Sequence, residues 1–360
     1  MKIICTQENL HSGLGIAVKI ISANNTLPIL NNILLKTENG QLKISSTNLE
    51  VAINTKIRCK IEEQGQITVG GKTLNELINT LPNENLELYT DKNNLVIKTE
   101  SQEFKIKTLP VEEFPLIPET QSNNTTSFEQ EKLKQAINQV VFSASQNQTQ
   151  PEISGIYLSL KGGEARFAAT DRYRLAEAII PAEGLAEVII PQKTTLEVAR
   201  ILSLRPEKVE VGFSENQIFF TIGQTDVISR LVDWQYPDYK NIIPDNFNST
   251  MVVEKNKLQN ALKANALFSQ NSSSVRMAFA GGKLTISSES EGLGSGIVDI
   301  QAKVEGEEGS LLLNFKYVLD FLAQLQGGSV VIKVVNDTSP AVFVPEGRSD
   351  YLYLVMPIKI

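Results

Sequence analysis

EKLKQAINQVVFS, residues 131–143, has two counterparts in the chain: ENLHSGLGIAVKI at 8–20 and KNKLQNALKANAL at 255–267. Leu10, Leu133 and Leu258 hold equivalent places in the three segments, 123 and 125 residues apart. A second trio keeps the same step: GKTLNELINTLP at 71–82, QKTTLEVARILS at 192–203 and FKYVLDFLAQLQ at 315–326. A third lies between them: LKISSTNLEVAI at 42–53, EARFAATDRYRLAEA at 164–178 and KLTISSESEGLGSGI at 283–297. Internal periodicity of this kind means one structural unit copied along the chain. The reading is three homologous domains, 1–120, 121–246 and 247–360.

The period divides again. Amphipathic windows begin near 8, 72, 130, 192, 254 and 316. In the sixth, Val318, Leu319, Leu322 and Leu325 recur at the i, i+3, i+4, i+7 spacing of a helix face. Between the windows the pattern changes to period two, as in Phe104, Ile106, Thr108 and in Ile218, Phe220, Ile222, which is strand spacing. Each half-domain is therefore one helix with several short strands. Polar, turn-rich stretches at 120–127 and 244–250 divide the domains. The fold class expected is α+β, with antiparallel sheets and the helices segregated to one side.

Composition narrows the chemistry. The 360 residues carry a net charge of −7, which argues against nucleic-acid binding over the whole surface and leaves room only for a local basic patch. Cys5 and Cys59 are the only cysteines and His11 the only histidine. These are too few for a disulfide scaffold or for the usual zinc and catalytic clusters, so no cofactor and no metal are expected. No long apolar run appears at the N-terminus or elsewhere, and a soluble cytoplasmic protein without a membrane partner is expected.

Charge partitions between the helical windows and the rest. The windows hold Lys19, Lys72, Lys132, Lys134, Lys193, Arg200, Lys255, Lys257, Lys263 and Lys316 against seven acids, a net +3, while the remainder of the chain carries −10. That suits a basic face turned toward phosphate and an acidic exterior. Ordinary solvated helix faces give the same count, so charge alone does not decide.

The order and spacing of several short marks identify a resemblance that covers the whole chain. They are TLPIL at 26–30, STNLE at 46–50, TLPVEEFP at 108–115, ATDRYRLA at 169–176, SRLVDWQYPDYKNIIP at 229–244, NFKYVLDFL at 314–322 and YLVMPIKI at 353–360. Together they resemble the β-subunit family of bacterial DNA polymerase III, the sliding clamps. The resemblance implies a non-enzymatic processivity factor: a head-to-tail homodimer of three-domain chains with six domains around a central hole, helices lining it and sheets outside. It implies duplex DNA held by encirclement. It also implies as partners the catalytic subunit of DNA polymerase III, the clamp loader, and other polymerases and repair proteins with clamp-binding peptides.

The family's functional positions map onto residues here. The peptide-binding pocket falls on Ile153, Thr170, Arg172, Tyr173, Arg174, Leu175, Pro237, Ile242, Leu354, Met356, Pro357 and Ile358. Apolar anchors beside an adaptable methionine suit short peptides from several partners; by itself VMPIKI also reads as the last strand of a sheet. The dimer interface falls on Lys72, Leu77, Leu81, Phe104 and Ile106, facing Leu267 and Phe268 of a second copy. EFKIKTL at 103–109 reads as an edge strand, which invites pairing by another chain; the same side chains also suit the core of their own domain. The acidic partner segment is thin, with Glu289, Glu291 and Asp299 among glycines. Loose phosphate contacts fall on Lys132, Lys134, Lys193, Arg200, Lys255 and Lys257, with an uncharged Asn24 in the loop before TLPIL.

Two other readings compete. Gly13-Leu14-Gly15 and Gly292-Leu293-Gly294-Ser295-Gly296 suggest phosphate loops, yet neither completes GxGxxG or the Walker pattern. Asp171 has no histidine or paired carboxylate near it in sequence, which leaves it without catalytic company. Composition does not exclude a repeat scaffold that binds proteins but no DNA.

Overall fold

A computed structural model describes residues 1–21, 27–118, 125–147, 149–202, 208–269 and 272–359. The helical windows become six α-helices among the described residues: α1 (Gln7–Ala17), α2 (Gly71–Thr80), α3 (Gln130–Val141), α4 (Gln192–Ile201), α5 (Lys255–Ala266) and α6 (Phe315–Ala323). Each begins within one residue of its expected start. The repeat leucines Leu10, Leu133 and Leu258 are all buried. Of the face read in the sixth window, Val318, Leu322 and Leu325 are buried, joined by Phe321, while Leu319 is only half covered. Side-chain caps close two helix starts. Thr6 accepts from the Asn9 amide at 3.3 Å, and Asn314 accepts from Lys316 at 3.0 Å. Each such cap stabilises its helix by about 1 kcal/mol.

The chain divides into two compact units, Met1–Lys134 with Lys193–Leu231, and Gln135–Gln192 with Val232–Ile360. The first holds two sheets. One runs in the order β5 (Lys60–Glu63), β1 (Lys2–Thr6), β7 (Asn85–Asp91), β8 (Asn94–Lys98), β9 (Glu103–Lys107). The other has eight strands: β10 (Thr125–Phe128), β15 (Val209–Phe213), β16 (Gln217–Ile222), β17 (Thr225–Arg230), β4 (Val51–Arg58), β3 (Gln41–Thr47), β2 (Asn32–Glu38), β6 (Gln66–Gly70). The β17–β4 pairing joins a strand of the second repeat to one of the first, with Ile228 opposite Ala52.

The second unit repeats the plan. Its nine-stranded sheet runs β14 (Ala186–Pro191), β11 (Gly155–Lys161), β12 (Glu164–Thr170), β13 (Arg174–Pro181), β26 (Tyr351–Val355), β25 (Ala341–Pro345), β24 (Ser329–Val334), β18 (Ser249–Glu254), β22 (Lys303–Gly306). Here β13–β26 is the joint between repeats, with Leu175 opposite Leu354. A four-stranded sheet follows, β21 (Gly294–Gln301), β20 (Lys283–Ser290), β19 (Ser274–Ala280), β23 (Gly309–Asn314). All these pairings are antiparallel.

Of the two glycines of α1, Gly13 has a packing role, whereas Gly15 faces open space. A Cβ at Gly13 would lie 2.7 Å from Ile57 Cγ2 and 2.9 Å from Ile44 Cδ1, so glycine lets the helix press onto β3 and β4. Packing this close, in the middle of a helix, excludes a phosphate loop there. In the second glycine run, Gly294 and Gly296 belong to β21 rather than to the turn. Two divider stretches also end earlier than expected. Thr125–Phe128 forms a strand, its Thr126 and Phe128 turned inward, and Ser249 and Thr250 open β18. Alternation of β-branched or aromatic residues with polar ones was the available signal. No helix among the described residues is long and apolar enough to cross a membrane.

Candidate functional site

The turn between β12 and β13 is built by its own polar side chains. Thr170 Oγ1 donates to the Arg174 carbonyl at 2.7 Å and accepts from the Arg172 amide at 3.2 Å. Asp171 Oδ1 accepts from the Tyr173 and Arg174 amides, both at 3.0 Å. Arg172 takes φ +78°, the left-handed conformation that a tight turn imposes and a side chain disfavours. Across the joint the Met356 amide donates to the Tyr173 carbonyl at 2.8 Å, and the Ile358 amide donates to Leu312 at 2.8 Å. The C-terminal segment is thereby laid along the turn.

These contacts leave an apolar floor with a partly exposed rim. Leu175 and Leu354 are buried in one cluster with Ala168, Val342, Tyr236 and Tyr239, against which Met356 and Ile243 pack half-exposed. Tyr157 stacks on Tyr236 at 4.9 Å, and the Tyr239 hydroxyl donates to Glu177. Burial, reinforced by that carboxylate, holds the Tyr239 phenol above its usual pKa, so it stays a donor. Ile153, Thr170 and Pro357 are buried; Tyr173 is 63% exposed, and Ile242, Pro237, Arg172 and Ile358 lie open to solvent. Gln150, with its amide oxygen toward Arg172, accepts from both terminal nitrogens at 2.6 and 3.0 Å, which fastens the segment before Ile153 to the turn. The aromatic support from Tyr157, Tyr236 and Tyr239 was missed in the sequence, although YPDY sits inside a quoted mark.

Arg174 ties the turn to a neighbouring helix. Its Nε donates to Asp171 at 2.9 Å and its Nη1 to Asp320 of α6 at 2.6 Å, while its guanidinium lies 4.4 Å from the Tyr317 ring centroid and 5.6 Å from that of Phe142. Burial alone would lower its pKa. The oxygens of Tyr353, Asp320 and Asp171 outweigh that, and the group stays firmly charged. The side chain is a strut between the turn and the third repeat.

Among the edge strands of the four sheets, two adjoin the residues mapped to the interface. In the first unit β9 ends its sheet, and Phe104 and Ile106 lie half-buried against the same core as Leu77. Leu81, counted in sequence with the interface, is buried in that core. Lys72 is exposed. In the second unit β21 ends its sheet and shows Ile297, 73% exposed, which the sequence reading did not single out. Leu267, 61% exposed, follows α5, and Phe268 packs so closely that a Cβ at Gly296 would lie 3.0 Å from its ring. Asp299 is engaged on its own sheet, by Lys283 at 3.3 Å and Thr285 at 2.7 Å.

The helix cations are partly neutralised. Lys132 pairs with Glu129 at 3.0 Å, Arg200 with Glu197 at 2.6 Å and Lys257 with Glu254 at 3.1 Å, each one helical turn apart. Lys255 donates to the Leu325 carbonyl at 2.7 Å. Lys193 is exposed and Lys134 half-exposed. Asn24 lies outside the described residues. A basic concavity of about 870 Å³ in the first unit, lined by His11, Lys19, Lys56 and Arg58 among others, had no signature in the sequence because it draws on α1 and β4 together.

Three family models cover the chain in order. They are the N-terminal, central and C-terminal domains of the DNA polymerase III beta subunit, at residues 1–118, 127–238 and 240–359. The beta sliding clamp of Synechocystis is 28% identical over an alignment of 389 residues covering 100% of both chains. That of Pseudomonas aeruginosa is 29% identical over 362 residues covering 98% of each. Among solved structures, the DNA polymerase III subunit beta of Pseudomonas aeruginosa superposes with a TM-score of 0.96 at 27% identity over 100% of both chains. A sliding clamp from the same organism bound to griselimycin gives the same values.

Proposed function

The chain belongs to the DNA polymerase III beta subunit family, and from that premise we propose how its surfaces do the work of a processivity clamp. A clamp of this family is a non-catalytic accessory of the polymerase. It accelerates synthesis by keeping the enzyme on its template. In this reading two copies close head to tail, the β9 edge of one chain against the β21 edge of the other, with domain boundaries near 120 and 246. Unpaired strand edges are templates for a further strand, and here each carries apolar side chains: Phe104 and Ile106 on one, Ile297 with Leu267 and Phe268 on the other. Six helix-bearing domains then surround duplex DNA.

Retention by enclosure needs only weak phosphate contacts. Tight binders gain affinity by displacing counterions from many phosphates, and that grip would oppose sliding. The intrahelical pairing of Lys132, Arg200 and Lys257 supports the weak regime. Lys134, Lys193 and Lys255, with Lys19, Lys56 and Arg58 around the basic concavity, supply the remaining positive potential.

Partners dock in the groove of the second unit. A peptide's apolar side chains rest on Met356 above the buried Leu175 and Leu354, while Tyr173, Ile242 and Ile358 fold over it. The catalytic subunit of DNA polymerase III, the clamp loader, and other polymerases and repair proteins share this groove in turn, in the cytoplasm where replication takes place. The observation that carries the reading is the end-to-end match of all three repeats to clamp domains. Primer extension on a long single-stranded circle tests it. Added with clamp loader and ATP, the protein should lengthen the products of each polymerase encounter at least tenfold; unchanged product lengths would overturn the assignment.

A further inference from the structure

The turn that shapes the groove exists twice. In Thr47–Val51 of the first unit, Thr47 Oγ1 donates to the Val51 carbonyl at 3.1 Å and accepts from the Leu49 amide at 3.0 Å. Asn48 Oδ1 accepts from the Glu50 and Val51 amides at 3.1 and 2.8 Å. Leu49 has φ +75°, against +78° at Arg172. Bond for bond this is the frame of Thr170–Arg174, with Asn48 in place of Asp171. The neighbouring strand repeats too. Ile228 faces Ala52 as Leu354 faces Leu175, and the Arg230 amide donates to the Glu50 carbonyl at 3.0 Å as Met356 does to Tyr173. Even the connecting segment is copied: Phe114-Pro115 and Ile117-Pro118 stand as Tyr236-Pro237 and Ile243-Pro244 do. Ile117 packs onto Ala52, Phe219 and Ile228, as Ile243 packs into the cluster of Leu175 and Leu354.

This second frame also encloses an open depression. It has a volume of about 140 Å³, with Ala52, Ile117 and Ile228 among its walls. Apolar cavities of roughly 150 Å³ accept a benzene-sized group, so one bulky side chain fits. The rim mixes uncovered apolar side chains with polar ones: Leu49 is half-exposed and Leu116 fully exposed, beside Glu50, Gln217 and Arg230. Charge separates the two grooves. Arg230 stands where the first has Met356; its side chain is exposed and has no ion pair among the described residues. Leu49 stands where the first has Arg172.

We propose that the Thr47–Val51 turn, the Phe114–Pro118 segment and Arg230 form a second peptide-docking groove. Its occupant is a short extended peptide whose bulky apolar side chain enters the depression and whose neighbouring carboxylate meets Arg230. The proposal rests on reading the first groove as a peptide site, since the shared frame is what suggests the ligand class. Repetition of the fold supplies the scaffold at no extra cost in design, and divergence at Met356 and Arg230 gives the two grooves different preferences. A partner with two such segments, or two partners at once, can therefore engage a single chain. Linking two weak contacts in one partner multiplies affinity through effective concentration.

Methyl NMR of the full-length protein tests this, with isoleucine and leucine methyls labelled and acetyl-Asp-Leu-Phe-amide as the probe. The expected result is saturable movement of the Ile228 δ1 methyl as well as the Leu354 methyls. In the Met356→Glu variant the Ile228 response should persist while that of Leu354 is lost. In Arg230→Glu the Ile228 response should weaken at least tenfold with Leu354 unaffected. An Ile228 methyl that stays still overturns the proposal, whatever Leu354 does. An Ile228 response indifferent to Arg230→Glu overturns the stated occupant. Movement at Ile228 with none at Leu354 leaves this groove standing and removes the reading of the first.

Discussion

At Arg174 one guanidinium meets two carboxylates and two aromatic rings, and one of those carboxylates, Asp320, is 146 residues further along the chain. A sequence shows the arginine and its ATDRYRLA setting but not the partner. The sequence could therefore name Arg174 among the pocket residues without showing that it also ties the turn to α6. Its removal leaves Asp171 deprived of a charged partner, and breaking a buried pair typically costs about 3 kcal/mol. Asp320 is about half exposed, so its own contribution is smaller, about 1 kcal/mol after solvent screening. We expect Asp320→Ala to fold, to lose a few degrees of thermal midpoint, and to bind polymerase-derived peptide about three- to tenfold more weakly by fluorescence anisotropy. Unchanged affinity would mean that the strut does not position the turn. The cysteines give a second prediction. Burial pushes the Cys5 thiol up to about 12. Its thiolate fraction at pH 8 is then on the order of one in ten thousand, and the thiolate is the reactive form. Iodoacetamide at pH 8 should alkylate Cys5 only after denaturation, as peptide mass mapping can check.

Among the elements, helices were the most legible, because a 3.6-residue apolar period is local and each starts where the pattern does. The third repeated set, at 42–53, 164–178 and 283–297, falls on equivalent hairpins, β3–β4, β12–β13 and β20–β21. Strand partners across repeats were not legible. Nothing near Val51 announces Ser229 as its neighbour, nor does Arg174 announce Val355. The edges were half legible: EFKIKTL was readable as an edge, whereas Ile297 was hidden among glycine and serine, and Leu81, mapped to the interface with a core role as the other reading, is buried in its own domain. If β9 and β21 pair between chains, a charge at the exposed position of one edge should separate them. Burying an unpaired charge is strongly unfavourable. Ile297→Lys should shift the protein from twice the chain mass toward the single-chain 39.7 kDa in sedimentation equilibrium, with circular dichroism unchanged. An unaltered mass would place the interface elsewhere.

For the whole molecule, threefold repetition pointed to the class and to three domains, and the acidic total argued against a grip over the entire surface. The balance between topology and charge was beyond a count of lysines. It depends on which cations already face a carboxylate one turn away, as at Lys132, Arg200 and Lys257. A ring that holds by enclosure differs from a binder in one respect that charge cannot imitate: it cares whether its DNA has ends. After loading by clamp loader and ATP, the protein can be followed by gel filtration on nicked circular plasmid and on the same plasmid cut once, at about 0.3 M salt to suppress phosphate contacts. The account predicts that it co-elutes with the circle and is released by the cut. Equal retention on both forms, or equal loss from both as salt rises, would contradict it.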